Sequence, residues 1–120
     1  MKRIIKSGLV LALLIQCTCG RQINEDLVKA AGQRDTQAIG SLLSNGANIN
    51  GYNSDEWTPL TMAAREGQGE SVRVLLESGA SVNEPEGGGN TPIFWAAWGG
   101  NPQIVNLLIS KGADVNKKCG

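Results

Sequence analysis

The chain has 120 residues with 11 basic and 11 acidic side chains, and it contains no histidine. This length suits one domain behind a short leader. Without histidine, the Ser–His and Cys–His nucleophile pairs are excluded, and a zinc site would lack ligands. Because Lys and Arg form no stripe, a nucleic-acid partner is also disfavoured. Composition therefore predicts a protein that is not an enzyme and that carries no metal or other cofactor.

Residues 1–20 have the character of a secretory signal peptide. Basic residues at positions 2, 3 and 6 precede an apolar run from Leu9 to Ile15, which is too short to span a bilayer. The segment 14–17 resembles a loose bacterial lipobox, in which cleavage before Cys17 leaves lipid on its sulfur. Cleavage after Cys19 or Gly20 is the alternative. We therefore expect a mature domain of residues 21–120 in the periplasm or on the outer membrane as a lipoprotein, with secretion as the alternative.

A 33-residue period runs through the remainder of the chain. Glycine–alanine pairs, alanine pairs, asparagines and a Thr-Pro motif all recur at this step. They are Gly46-Ala47, Gly79-Ala80 and Gly112-Ala113; Ala30-Ala31, Ala63-Ala64 and Ala96-Ala97; Asn50, Asn83 and Asn116; and Thr58-Pro59 and Thr91-Pro92. Such a period indicates stacked repeats, each of which buries its apolar face against its neighbours. We place three units at about 24–50, 51–83 and 84–116.

Each unit is expected to hold two short helices. In the second and third units the first helix follows a capping threonine, Thr58 or Thr91, with proline at its first position, and it ends at Gly67 or Gly100. The second helices begin near Asp35, near Gly69 and at Asn101-Pro102. They end before the repeated glycines at 46, 79 and 112, where a left-handed residue is favoured. The polar stretches 51–56 and 84–90 then form turns between units.

The motifs of the second and third units resemble those of the ankyrin repeat family. They read Trp57-Thr-Pro-Leu-Thr-Met-Ala-Ala-Arg-Glu-Gly67 and Thr91-Pro-Ile-Phe-Trp-Ala-Ala-Trp-Gly-Gly100, each followed by a Leu-Leu…Gly-Ala…Val-Asn segment. The resemblance implies an all-α solenoid of about three helix–turn–helix units joined by short β-turn or hairpin loops. Thr61 and Phe94 stand where the family usually has histidine, so we expect weaker hydrogen bonding between repeats at these positions.

The resemblance also implies a non-catalytic module that binds a protein through a concave face, formed by the turn tips and first helices. Carried over by position, the candidate binding residues are Tyr52, Trp57, Met62, Arg65, Glu66, Asn90, Trp95 and Trp98. Tryptophan and arginine side chains dominate binding hot spots, although the tryptophans could instead fill grooves within the stack. The expected partner is a protein of the bacterial envelope, and the alternative is a secreted effector that acts on a host protein.

The end of the last unit offers a further expectation. Leu107, Leu108 and Ile109 form an apolar stripe, and no polar capping repeat follows it. Terminal repeats normally turn a polar face to water. The sequence therefore predicts possible self-association through this end. Cys119 is interpreted as a frayed thiol, as a partner of Cys19, or as the site of an intermolecular disulfide.

Overall fold

A computed structural model describes residues 22–115, and this range contains six helices and no strand. They are α1 (22–32), α2 (Thr36–Ser44), α3 (Pro59–Arg65), α4 (Gly69–Glu77), α5 (Pro92–Trp98) and α6 (Pro102–Ser110). Within these residues no helix is both long and apolar enough to cross a bilayer. The predicted signal peptide with Cys17, and Cys119 near the other end, lie outside the described range.

The helices stack in two layers. In one layer α3 packs against α5, and in the other α2 packs against α4 and α4 against α6. Within a unit, α3 contacts α4 and α5 contacts α6. The small alanines of the first helices and the leucines, isoleucine and valine of the second helices fill the space between the layers, with Leu27, Ala31, Ile39, Leu60, Ala63, Ala64, Val72, Leu75, Ala96 and Leu108 fully or almost fully buried. The all-α repeat solenoid expected from the 33-residue period is thereby confirmed.

The start of α3 is fixed by two threonines that bond to each other's backbone. The Thr61 N–H donates to Thr58 Oγ1 at 3.1 Å, and the Thr58 N–H donates to Thr61 Oγ1 at 3.0 Å. The two hydroxyl oxygens also lie 2.7 Å apart, and one donates to the other. This is a capping box with threonine at its third helical position, so the sequence-based assignment of Thr58 as a cap is confirmed.

The other predicted caps are realised unevenly. Asp35 caps α2, because its carboxylate accepts the N–H of Ala38 at 3.1 Å. Thr91 and Asn101 stand at the N-cap positions of α5 and α6, but neither side chain makes a capping hydrogen bond. Phe94 stands three residues after Thr91 and has no hydroxyl, so the reciprocal capping box of α3 has no counterpart in α5.

Left-handed residues end the helices at the repeated positions. Gly46, Gly79 and Gly112 have φ of 100°, 99° and 96°, and Gly67 and Gly100 have φ of 73° and 72°. The predicted helix ends are thus confirmed. The first unit carries Arg34 in place of Gly67, and it adopts the same conformation with φ of 59°. A non-glycine residue is strained in this region. The first unit nevertheless follows the same backbone path as the others, although its sequence departs from the period at this position.

Asparagine side chains connect successive units. Asn50 Oδ1 accepts the N–H of Ser81 at 2.8 Å, and Asn83 Oδ1 accepts the N–H of Asp114 at 2.8 Å. Both bonds span 31 residues, so the repeated asparagine performs the same task at each junction. Hydrogen bonding between repeats therefore arises at the asparagine position. The Thr61 hydroxyl, in contrast, is engaged within its own unit by Thr58.

The last unit buries more of its apolar stripe than the sequence suggested. Leu108 is fully buried and Leu107 packs against the core. The expectation that Leu107, Leu108 and Ile109 form one apolar stripe at an open end is therefore wrong for Leu108. The cause is helical geometry, because consecutive residues point about 100° apart on α6. Ile109 is 47% exposed and Val115 is 60% exposed, so apolar surface remains at this end of the described chain.

Candidate functional site

The turns before α3 and α5 are held by side chains at equivalent positions. Asn53 Oδ1 accepts the N–H groups of Asp55 and Trp57, and the Asn53 N–H donates to the Trp57 carbonyl at 3.0 Å. In the next unit, the Glu86 carboxylate accepts the N–H groups of Gly88 and Asn90 at 2.9 Å. Two different residue types therefore close the same hairpin-like turn. Asn53 and Glu86 thereby hold the last residue of each turn, Trp57 or Asn90, which directly precedes the N-cap of the next helix.

Three tryptophans form a continuous aromatic cluster across the second and third units. The ring centroids of Trp57 and Trp95 lie 5.1 Å apart with a tilt of 57°, and those of Trp95 and Trp98 lie 5.3 Å apart at 75°. Phe94 packs edge-on against Trp95 at 5.2 Å. These are favourable tilted and edge-to-face geometries. We call Trp57, Phe94, Trp95 and Trp98, together with Arg65, the aromatic patch.

Arg65, at the end of α3, lies over Trp57 of its own repeat and Trp95 of the next. Its guanidinium carbon is 5.4 Å from the Trp57 ring centroid and 6.0 Å from that of Trp95. Arg65 Nη1 also forms an ion pair of 2.7 Å with Glu66 Oε2. Because both charged side chains are exposed, the ion pair itself contributes little to stability. Its effect is to orient the guanidinium over the rings and to place one carboxylate beside the aromatic patch.

Exposure separates the roles of the three tryptophans. Trp98 is 65% exposed, whereas Trp57 and Trp95 are partly buried and Trp95 packs against the core. The indole N–H of Trp95 is buried, and no residue in the range 22–115 accepts its hydrogen bond. The packing interpretation therefore fits Trp95, whereas binding through Trp98 stays a prediction. Trp95 supports the patch by packing, and Trp98 presents a large apolar surface to the solvent.

The structure divides the remaining candidates. Glu66 joins the patch through Arg65. Met62 faces the other way, toward α1, where a Cβ built on Gly32 would lie 3.0 Å from Met62 Cγ. Asn90 closes its turn through its backbone, and its N–H is bound by Glu86. Sequence reasoning omitted Phe94 from the site, although its position next to Trp95 was the available signal.

Tyr52 connects two turns. Its hydroxyl lies 3.0 Å from Glu84 Oε2 and 2.9 Å from the Pro85 carbonyl, both of which are acceptors in the next unit. Burial raises the pKa of Tyr52 above its usual value, and the hydrogen bond to Glu84 and the negative charges of Glu84, Glu56 and Glu86 raise it further. The ring is still 42% exposed. Tyr52 thus ties the turns together and remains accessible at their tips.

The carboxylates of the described range are arranged for solvation and local bonding. Among residues 22–115 no group of three or more His, Cys, Asp or Glu side chains is placed to hold a metal ion. On α4, a hydrogen bond and charge attraction from Arg73 lower the pKa of Glu70, which keeps this carboxylate ionised. The aromatic patch is therefore the candidate site in this part of the chain, and the carboxylates are not.

Comparison with known proteins agrees with this geometry. The family model described as ankyrin repeats (3 copies) matches residues 27–119. The match spans all three units and includes both the capping box of α3 and the aromatic patch. No curated protein sequence matches the chain.

Proposed function

The chain belongs to the ankyrin repeat family, and we propose that it is exported to the bacterial cell envelope, where it binds a protein partner through the aromatic patch. Ankyrin repeats are generally protein–protein interaction modules, typically without catalytic activity. Such repeat stacks leave a row of positions free to vary on one face while the core positions keep the fold. In this chain the variable positions carry the large side chains that protein interfaces prefer.

The observation that carries this proposal is the exposure of Trp98. The Trp98 indole is 65% exposed and rests edge-on against Trp95, so it belongs to a contiguous aromatic surface and is not an isolated exposed residue. Its orientation is therefore set before a partner arrives, which reduces the entropy lost on binding. Arg65 adds a cation over the neighbouring rings of Trp57 and Trp95, and tryptophan and arginine are enriched at binding hot spots.

Export is proposed from the leader. Three basic residues, a short apolar run and small residues at positions 17–20 have the order of a signal peptide. Lipidation of Cys17 would retain the domain on a membrane surface, whereas cleavage after Cys19 or Gly20 would release it. Mass spectrometry of the mature N-terminus distinguishes the two, since only the first leaves an acylated Cys17 as the first residue.

The test is affinity purification from envelope fractions with a C-terminally tagged chain. Wild type should capture a protein that Trp98→Ala loses, because truncation removes the exposed ring. Arg73→Ala is the control, since Arg73 is also exposed but lies on α4. Circular dichroism should show all three chains equally folded. Equal capture by Trp98→Ala and wild type would rule out the patch, and recovery of the protein only from the culture medium would favour the secreted effector instead.

A self-associating protein is the second candidate, and the exposed Ile109 and Val115 favour it. Contact through this end would bury apolar surface that the described residues leave open. Sedimentation of the purified protein over a range of concentrations tests this function. Ile109→Glu should then convert an associating species to a monomer, whereas a monomer at all concentrations would exclude it.

A further inference from the structure

The position occupied by Arg65 and Trp98 holds glycine in the first unit. Gly32, Arg65 and Trp98 are each 33 residues apart and end their first helices in the same way. Where the later units project large side chains, α1 projects none. A cavity of about 510 Å³ opens there between α1 and α3, with Met62, Val28 and Gly32 among its lining residues. We call this cavity the α1–α3 groove.

The groove is apolar at its base and acidic at its rim. Met62 lies against Gly32, and Val28, which is almost fully buried, also lines the groove. Glu25, Asp26 and Glu66 also line the groove, against a single basic side chain, Lys29. The surroundings have the same sign of charge, because residues 21–120 contain 11 acidic and 8 basic side chains, a net charge of −3. Such a field attracts cationic segments and repels acidic ones.

We propose that the partner inserts a lysine or arginine side chain of a basic segment into the α1–α3 groove. The long aliphatic stem of either residue suits a base of Met62 and Val28, and its charged end then lies among the rim carboxylates. Glu66 links the groove to the aromatic patch, since it lines the groove and pairs with Arg65. An apolar residue of the same segment would pack on Trp98. This inference rests on the proposed function, to which it adds the chemistry of the partner.

The probe is a phage-displayed library of random 12-residue peptides, selected on the purified, processed protein. Enriched sequences should carry Lys or Arg near an apolar residue, and a synthetic copy should bind more weakly as NaCl is raised, because exposed charges are screened. Replacing the conserved cation with norleucine keeps the stem and removes the charge. We expect this change to weaken binding about tenfold. Enrichment of acidic or uncharged peptides, or no enrichment, would overturn the proposal.

Two variants locate the site. Gly32→Leu fills the groove and displaces Met62, whose Cγ would lie 3.0 Å from the new Cβ. Gly40→Leu controls for the loss of a helical glycine, since Gly40 lies on α2 with no atom within 4 Å of its missing side chain. Gly32→Leu should abolish peptide binding while Gly40→Leu preserves it. Asp26→Asn removes one rim charge without adding volume and should weaken binding severalfold. Equal binding by Gly32→Leu and wild type would refute the assignment.

The outcomes separate this inference from the proposed function. If envelope capture depends on Trp98 but not on Gly32, and no basic peptide is enriched, the aromatic patch remains the interface and the groove is not part of it. If basic peptides bind through the groove but capture is unaffected by Trp98→Ala, the partner chemistry stands and the patch is excluded. If capture does not depend on Trp98 and no basic peptide binds through the groove, both proposals are rejected.

Discussion

The capping box of α3 offers the sharpest test of how the central repeat is stabilised. Thr61→Val keeps the shape of a fully buried side chain and removes only its hydroxyl. That hydroxyl accepts the Thr58 N–H at 3.0 Å and exchanges a hydrogen bond with the Thr58 hydroxyl at 2.7 Å. Both partners are buried, so water cannot replace the lost interactions.

The expected loss follows from what the substitution leaves unpaired. A buried donor without an acceptor costs about 1–3 kcal/mol, and weakening an N-cap costs about 1 kcal/mol. These contributions overlap, so we expect the free energy of unfolding to fall by about 2 kcal/mol. With a denaturant slope of about 1–2 kcal/mol per molar for a domain of this size, the urea midpoint should fall by about 1–2 M.

Urea unfolding followed by tryptophan fluorescence measures this loss, because Trp57 directly precedes the N-cap residue Thr58 of α3. Thr91→Val is the matched control. Thr91 occupies the same place in the third unit but makes no side-chain capping bond, so its hydroxyl should contribute less than about 1 kcal/mol. The reasoning is refuted if Thr61→Val changes stability by less than about 0.5 kcal/mol, or if the two substitutions cost the same.

Three further predictions concern the junctions and the turns. Asn50→Ala removes the acceptor of the Ser81 N–H, so urea unfolding should show a loss of about 1 kcal/mol; no loss would mean that water replaces the bond. Arg34→Gly should raise stability by up to about 1 kcal/mol by relieving a left-handed arginine, and an unchanged midpoint would mean that chain entropy offsets the relief. Tyr52 is the only tyrosine, and ultraviolet absorbance should show that it titrates above pH 10. Its contribution to stability should be present below that pH and disappear as the pH rises through its raised pKa. A pKa no higher than that of a free tyrosine would contradict the bonds to Glu84 and Pro85.

Positions under a strict backbone constraint could be predicted from the sequence. The glycines at 46, 79 and 112 end helices in a left-handed conformation that other residues adopt at a cost, so the period places them reliably. The same reasoning could not foresee Arg34, since the sequence alone gives no sign that an arginine follows the path of Gly67. The conformation accompanies the hydrogen bonds that end α1, where the Asp35 N–H donates to the Ala30 carbonyl at 3.0 Å, as the Gln68 N–H donates to the Ala63 carbonyl at 2.9 Å after α3.

Side-chain partnerships were harder to predict than the backbone. Asn53 and Glu86 close equivalent turns by accepting backbone N–H groups. Because the two residues are of different types, no repeated sequence motif reveals their common role. Likewise, the proximity of Trp95 and Trp98 follows from helical spacing, but the approach of Trp57 to Trp95 depends on how closely α3 and α5 stack. The candidate site was therefore identified by position, and its division into a packed and an exposed tryptophan required the structure.

The repeat also explains why recognition could become specialised without disturbing the stack. Ala31, Ala64 and Leu75 are fully buried, so a change at any of them would alter the packing of two units. The position that follows each alanine pair lies at the end of the first helix and carries Gly32, Arg65 and Trp98 in turn. These three residues differ completely in size and charge while the backbone around them repeats. The groove at one end of this row and the indole at the other make the face asymmetric, so a segment bound as proposed above would bind in one orientation.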